Sequence, residues 1–192
     1  MAPETQFSAG KIIHAVLGIT RAHAIYPVTA RNIAEKHGRS VKLDFTAFDN
    51  MDDAIEATVE RARSIFTEFM QKPYEKLSIM RIGLRWIDLA RTEPNLYKLL
   101  FVPSARGARL TTPLNVFMNF EGLTEKIVPI VASEFGLSGD KAYRLYNQMI
   151  IHAHGMACIL VSGQTDFTEQ SIREIFSETV ESLVGYYKKS EE

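Results

Sequence analysis

Apolar residues recur along this chain with the 3.6-residue period of the α-helix almost from end to end. A first helix is predicted over Thr5 to His23, with Ile12, Ile13, Val16, Leu17 and Ile19 inward, before Tyr26-Pro27 breaks the chain. Asn50 is placed to cap a long helix reaching Gln71 through Ile55, Val59, Ile65, Phe66 and Phe69. Pro73 is expected to open the next helix, carrying Leu77, Met80, Leu84, Trp86, Ile87 and Leu89, and Pro94 the short segment Asn95 to Phe101. The small, polar and basic stretch Val102 to Thr112 reads as a loop, followed by a helix over Pro113 to Phe135 that Gly136 ends. Ser138 begins a long helix through Tyr143, Tyr146, Met149, Ile150, Met156 and Leu160. Thr168 caps the last, with Ile172, Ile175, Phe176, Val180, Leu183, Val184 and Tyr187 on one stripe. Period-2 alternation never extends beyond a few residues, and Asn-Gly and Asp-Gly hairpin signals are missing. The chain is therefore expected to be all-α.

The stretch from Val28 to Ile55 is the most specific. Thr29 can cap a helix through Ala30, Ile33 and Ala34; Gly38 ends it, and Ser40 two residues later is a fresh cap for a helix holding Val41 to Phe45. Two short helices so tightly joined must cross steeply, which the small side chain of Ala34 permits while Ile33, Leu43 and Phe48 anchor the second helix. This is the layout of a helix-turn-helix, in which the second helix enters the DNA major groove. Arg39, Ser40, Val41 and Lys42 would then meet base edges, Arg31 adds positive charge, and the helix starts at Thr29 and Asn50 suit phosphates as well as serving as caps.

With 192 residues, 46% of them apolar and 23% charged, the chain can build one or two ordinary cores. Its formal net charge of -1 confines any attraction to phosphate to a local patch. One cysteine, Cys158, excludes an intrachain disulfide, and the N-terminal residues lack the apolar core of a signal peptide, so the expected location is the cytoplasm. The most apolar run, Met149 to Val161, is shorter than the roughly 20 residues that span a bilayer, so no membrane association is expected. His152 and His154 lie two apart on one helix, about 200° around its axis, and cannot converge on one metal. No metal or other cofactor is expected. Gly-rich phosphate loops, nucleophile elbows and metalloprotease motifs are missing, which argues against an enzyme.

Five stretches, TARNIAEKHG, the spacing of Gly38, Phe45 and Phe48, FDNMDDAI, WIDLARTEPNLYKLLF and the His154-Gly155 pair in IIHAHGMACIL, together resemble the TetR family of transcriptional regulators over essentially the whole chain. The last two resemble a subgroup with a Trp and a His-Gly signature in its C-terminal domain. The resemblance implies a homodimer with a ligand pocket in that domain and DNA binding that weakens when the pocket fills; repression is the family default. The chain departs from the family at Asp44, usually apolar; at Phe45, which keeps the ring packing of the usual tyrosine but cannot donate to the DNA backbone; and at Met51, often lysine. Each departure lowers affinity for phosphate. They support the rival expectation of a helical dimer that binds a small molecule or protein and no longer reads DNA.

The domains are expected at residues 1–59, a three-helix DNA-binding domain, and 60–192, a larger helical domain for ligand binding and dimerisation. For the pocket, Trp86, Phe101, Phe117, Phe120 and Met149 offer apolar walls from different helices, with Tyr146 and His152 as polar contacts, and suit an apolar or aromatic effector. The same residue types at helical spacing also make ordinary core. For the dimer, Ala153, Gly155 and Ala157 allow close helix approach beside the stripe of Ile172, Phe176, Val180 and Leu183. Two-fold symmetry then predicts double-stranded DNA with an inverted-repeat operator.

Overall fold

A computed structural model describes residues 8–23, 47–73, 77–102, 122–163 and 165–189. Every regular element among them is an α-helix apart from single 3₁₀ positions: α1 Ala9–His23, α2 Met51–Met70, α3 Ile79–Thr92, α4 Pro94–Phe101, α5 Leu123–Phe135, α6 Gly139–Ser162 and α7 Glu169–Lys189. None of these helices is long and apolar enough to cross a membrane.

Local chemistry explains most of the boundaries. The Asn50 side chain accepts from the Asp53 N–H at 3.0 Å and starts α2, and Pro94 occupies the first turn of α4, where its missing N–H costs nothing. Ser138 accepts from the Lys141 N–H and Thr168 from the Ser171 N–H at 3.1 Å, starting α6 and α7. Gly136 and Gly163 close α5 and α6 in the left-handed backbone conformation, with φ of 65° and 72°.

Two starts differ from the sequence-based expectation. The third helix opens not at Pro73 but at Ile79, where the Ser78 hydroxyl accepts from the Arg81 N–H at 3.3 Å; a serine cap outcompetes a proline that lies five residues upstream. Gly122, expected inside a helix from Pro113, has φ of 70°, so α5 begins after it at Leu123. A left-handed residue cannot continue a right-handed helix. Within α5, Pro129 has no N–H to offer the Glu125 carbonyl, a local weakness in that helix.

The chain divides into two compact units, one comprising Met1–Phe66 and Glu93–Thr111, the other Thr67–Thr92 and Thr112–Glu192. α4 belongs with the first unit, where it packs on α1. The Arg21 guanidinium grips the Glu93 carboxylate with two contacts of 2.9 and 3.0 Å, and the Asn95 amide donates to the Arg21 carbonyl at 2.9 Å, fixing the end of α1 to the start of α4.

Along α2 the buried positions are Ala54, Thr58, Val59, Ala62, Phe66 and Met70, and all but Val59 recur every four residues. At about 100° per residue each step advances the line by about 40°, so four steps carry it about 160° around the helix. The buried line thus winds around α2 along its length. The second unit is built from α3 against α6, with α5 beside α6 and α7 completing the layer. Gly83 of α3 leaves room for the Phe176 ring of α7: a Cβ there would stand 2.0 Å from the ring tip.

Candidate functional site

The first unit has a small core of Ile12, Ala15, Val16, Ile19 and Ala54, against which Ala47, Phe48 and Met51 pack. Met51, at the first position of α2, is half-buried and packs against this core. The Asn50 amide donates to the Asp53 carboxylate at 3.1 Å while accepting from its N–H, a reciprocal cap. Asp52 and Asp53 then set two carboxylates at the positive end of α2, which stabilises the helix and opposes a phosphate at that spot. Asn50 is thus committed to capping. Thr29, Arg31, Arg39, Ser40, Val41, Lys42 and Phe45, along with Asp44, lie outside the described residues, as do Phe117 and Phe120 of the expected pocket.

Of the remaining pocket candidates, Trp86, Tyr146 and Met149 are fully buried within the second unit on the packed helices α3 and α6. Phe101 belongs to the first unit, where its ring meets Phe66 edge-on at 5.1 Å and Tyr97 at 4.9 Å.

His152 lies half-buried beside the Phe176 ring, 5.7 Å between centroids, with its Nε2 3.4 Å from the Thr179 hydroxyl. That hydroxyl spends its one hydrogen on the Ile175 carbonyl at 2.8 Å. The imidazole must therefore donate through Nε2–H, leaving Nδ1 as an acceptor. Burial pushes the His152 pKa down, favouring this neutral form. Two residues on, His154 Nε2 lies 3.5 Å from the Cys158 sulfur, and burial pushes this histidine down and the thiol up. Among the described residues no three metal-ligating side chains come together.

The dimer candidates divide by face. Ala153, Ala157, Ile172, Phe176 and Val180 are buried within the chain itself, Leu183 is half-buried, and Gly155 is exposed. The outward side of α6 instead carries Ile151 and Ile159, 50% and 46% exposed, one turn either side of Gly155, and Tyr186 is the most exposed large apolar side chain of α7.

Two features were missed in the sequence. A cleft between α3 and α7 has a floor of Leu84, Ile87 and Ile172 and a charged rim. There Arg91 bridges Asp88 at 2.7 Å and Glu169 at 3.3 Å, while Arg173 holds Glu169 at 2.7 Å. Hydrogen bonds from Arg173 and Arg91 hold the Glu169 carboxyl below its usual range, and the bond to Glu169 raises Arg91. The spacings Asp88/Arg91 and Glu169/Arg173 were visible as intrahelical pairs, but their meeting was not. The second feature is Arg85, whose guanidinium donates to the carbonyls of Met70 at 3.2 Å, Pro73 at 3.2 Å and Lys72, at the end of α2. No local pattern marked it.

No protein-family model matches the chain, and no curated protein matches it by sequence. Solved structures do. A TetR variant from Acinetobacter baumannii AYE in complex with minocycline superposes with a TM-score of 0.54 at 13% identity, covering 95% of this chain and 94% of that one. A transcriptional regulator from Rhodococcus sp. Rha1 gives 0.53 at 11% identity, covering 96% and 97%. At such identities the likeness is one of fold, and it runs the full length of both partners: the chain has the all-helical TetR-type fold.

Proposed function

We propose that the chain is a homodimeric, DNA-binding transcriptional regulator of the TetR family, acting in the cytoplasm as a repressor that leaves an inverted-repeat operator when a small apolar or aromatic molecule occupies its second unit. The observation that carries this reading is the fold shared over nearly the whole chain with two regulators, taken with the helix, glycine, helix pattern between α1 and α2. Arg39, Ser40, Val41 and Lys42 are the base-reading candidates, and Thr29, Arg31 and Phe45 support them. The minocycline bound to the TetR variant is the precedent for a small-molecule effector. Trp86, Tyr146, Met149 and His152 are the described residues assigned to that role, with Nδ1 of His152 the acceptor it can offer.

A second copy meets the outward face of α6, where Ile151, Gly155 and Ile159 form an apolar line with a gap at its centre. Effector and DNA are coupled only through a difference in effector affinity between two arrangements of the linking helix, typically about 1–3 kcal/mol.

Binding of the purified protein, freed of copurified ligand, to a randomised duplex pool at two salt concentrations tests the reading. Recovery of an inverted repeat with affinity falling as salt rises supports it. Retention of no preferred sequence favours the second reading, a ligand- or protein-binding dimer that does not read DNA. Met51, packed half-buried against the first unit's core and carrying no positive charge, is the observation on that side.

A further inference from the structure

His154 and Cys158 stand four residues apart on α6, on one face of the helix, and the Cys158 sulfur lies 3.5 Å from Nε2 of His154 and 4.0 Å from Nδ1. Two donor atoms so spaced fit one tetrahedral ion. Zinc bonds of about 2.3 Å to sulfur and about 2.0–2.1 Å to nitrogen, meeting at the tetrahedral angle, put their donors about 3.5 Å apart. The same four-residue spacing lets two histidines share one zinc in the HExxH motif.

One chain supplies only half of a ligand set. Among the described residues no third metal-ligating side chain joins the pair, and a structural zinc takes four ligands. The place of the pair on α6 indicates the source of the others. Cys158 is seven residues from Ile151, about 20° from it around the axis, and three from Gly155, about 60° away, so it lies within the outward face. Both Cys158 and His154 are half-buried there. A Cβ on Gly155 would meet nothing within 4 Å, which leaves room for a second helix to approach closely beside the pair. A two-fold axis at that point turns one cysteine and one histidine into two of each.

We propose that a zinc ion joins two copies of this chain, held by Cys158 and His154 of each in a set of two thiolates and two imidazoles. The site rests on the homodimer reading above, though not on DNA binding. Each thiol releases its proton to solvent as its sulfur takes the metal, so binding weakens as pH falls. Sulfur donors disfavour harder divalent ions, and the tetrahedral spacing disfavours square-planar ones. Because the full site exists only in the pair, zinc stabilises the dimer by mass action.

Cobalt(II), which is coloured in tetrahedral sites, is the probe. The full chain, stripped of metal by a chelator and kept reduced with a phosphine, is titrated with cobalt(II) alone, and zinc is then added, with sedimentation run in parallel with and without zinc. One cobalt per two chains should bind, giving the intense visible bands of tetrahedral geometry and a near-ultraviolet charge-transfer band from thiolate, and zinc should bleach both. Cys158→Ser should abolish the charge-transfer band, and His154→Gln should weaken cobalt binding about a hundredfold or more. Saturating zinc should tighten the native dimer about tenfold or more. Ile159→Asp, which keeps both ligands but opposes the seam, should lose dimer and colour together. A dimer that binds no cobalt, binds one ion per chain, or gives the weak spectrum of octahedral coordination overturns the site and leaves the homodimer standing. Charge transfer that survives in Cys158→Ser overturns it likewise. A chain that stays monomeric with and without zinc overturns both.

Discussion

The Phe176 ring of α7 stands over the backbone of Gly83 in α3, so close that a Cβ on Gly83 would lie 2.0 Å from the ring tip and within 2.8 Å of both neighbouring ring atoms. Phe176 is completely buried. Gly83→Ala should therefore destabilise the protein by about 1–3 kcal/mol despite alanine's better helix propensity. Adding Phe176→Leu should restore part of the loss in a double-mutant cycle followed by thermal melting. Additive effects would show that the two residues do not press on one another.

Asn50 and the Arg21–Glu93 pair both hold the first unit together, and their contributions should differ. Asn50→Ala removes a cap and should cost about 0.5–2 kcal/mol, and Asn50→Asp should recover only part of that loss, because its carboxylate would accept from the Asp53 N–H but face the Asp53 carboxylate. Glu93→Gln breaks an ion pair whose side chains are 41% and 31% exposed, and should cost no more than about 1 kcal/mol, less as salt is added. Urea titrations at two ionic strengths separate the two cases.

His152 and His154 are both held below their ordinary value of 6.5 by burial. A base whose folded pKa is depressed binds fewer protons folded than unfolded as acid is added. Its contribution to stability is complete above the unfolded value and declines as pH falls from there toward the folded value. Melting temperature should drop between about pH 7 and pH 5, and the drop should shrink in His152→Gln combined with His154→Gln. An equal drop in the double variant would assign the effect to other groups.

The Cys158 thiol is half-buried and raised by burial, and the side chain it meets among the described residues is His154. Its contact is a histidine kept neutral. Alkylation by iodoacetamide near neutral pH should be about tenfold or more slower than that of free cysteine. Comparable rates, read by mass spectrometry, would mean that the thiol opens to solvent more often than its surroundings imply.

On α6, Ile151→Lys and Ile159→Asp should each leave helix content and melting of the single chain nearly unchanged, because both side chains are already about half exposed. If the line through Gly155 is the seam between copies, the same changes should convert a dimer to a monomer in sedimentation. A dimer that survives both would move the seam elsewhere.

Residues that act through their own backbone were legible in the sequence. Asn50, Pro94, Gly136, Ser138 and Thr168 all stand at helix ends, because capping is decided within three or four residues. Ser78 was overlooked since a proline five residues earlier offered a competing start, and Gly122 because a helical apolar pattern on both sides hid one left-handed residue. The inward stripe of α7 was readable from its period, but the period does not say whether the stripe faces its own chain or another. Ile172, Phe176 and Val180 face their own. Arg85 and the Arg91–Glu169 contact depend on residues 15 and 78 positions apart, beyond any local pattern.

The four-residue recurrence of Ala54, Thr58, Ala62, Phe66 and Met70 makes the length of α2 a phase as well as a distance. Inserting one residue between Ala62 and Phe66 would swing everything upstream by about 100° for a lift of about 1.5 Å. Seven residues, about two turns, would lengthen the helix by roughly 10 Å while turning it only about 20°. Descendants of this chain can therefore change the reach of α2 only in near-whole turns, and single insertions there should be purged.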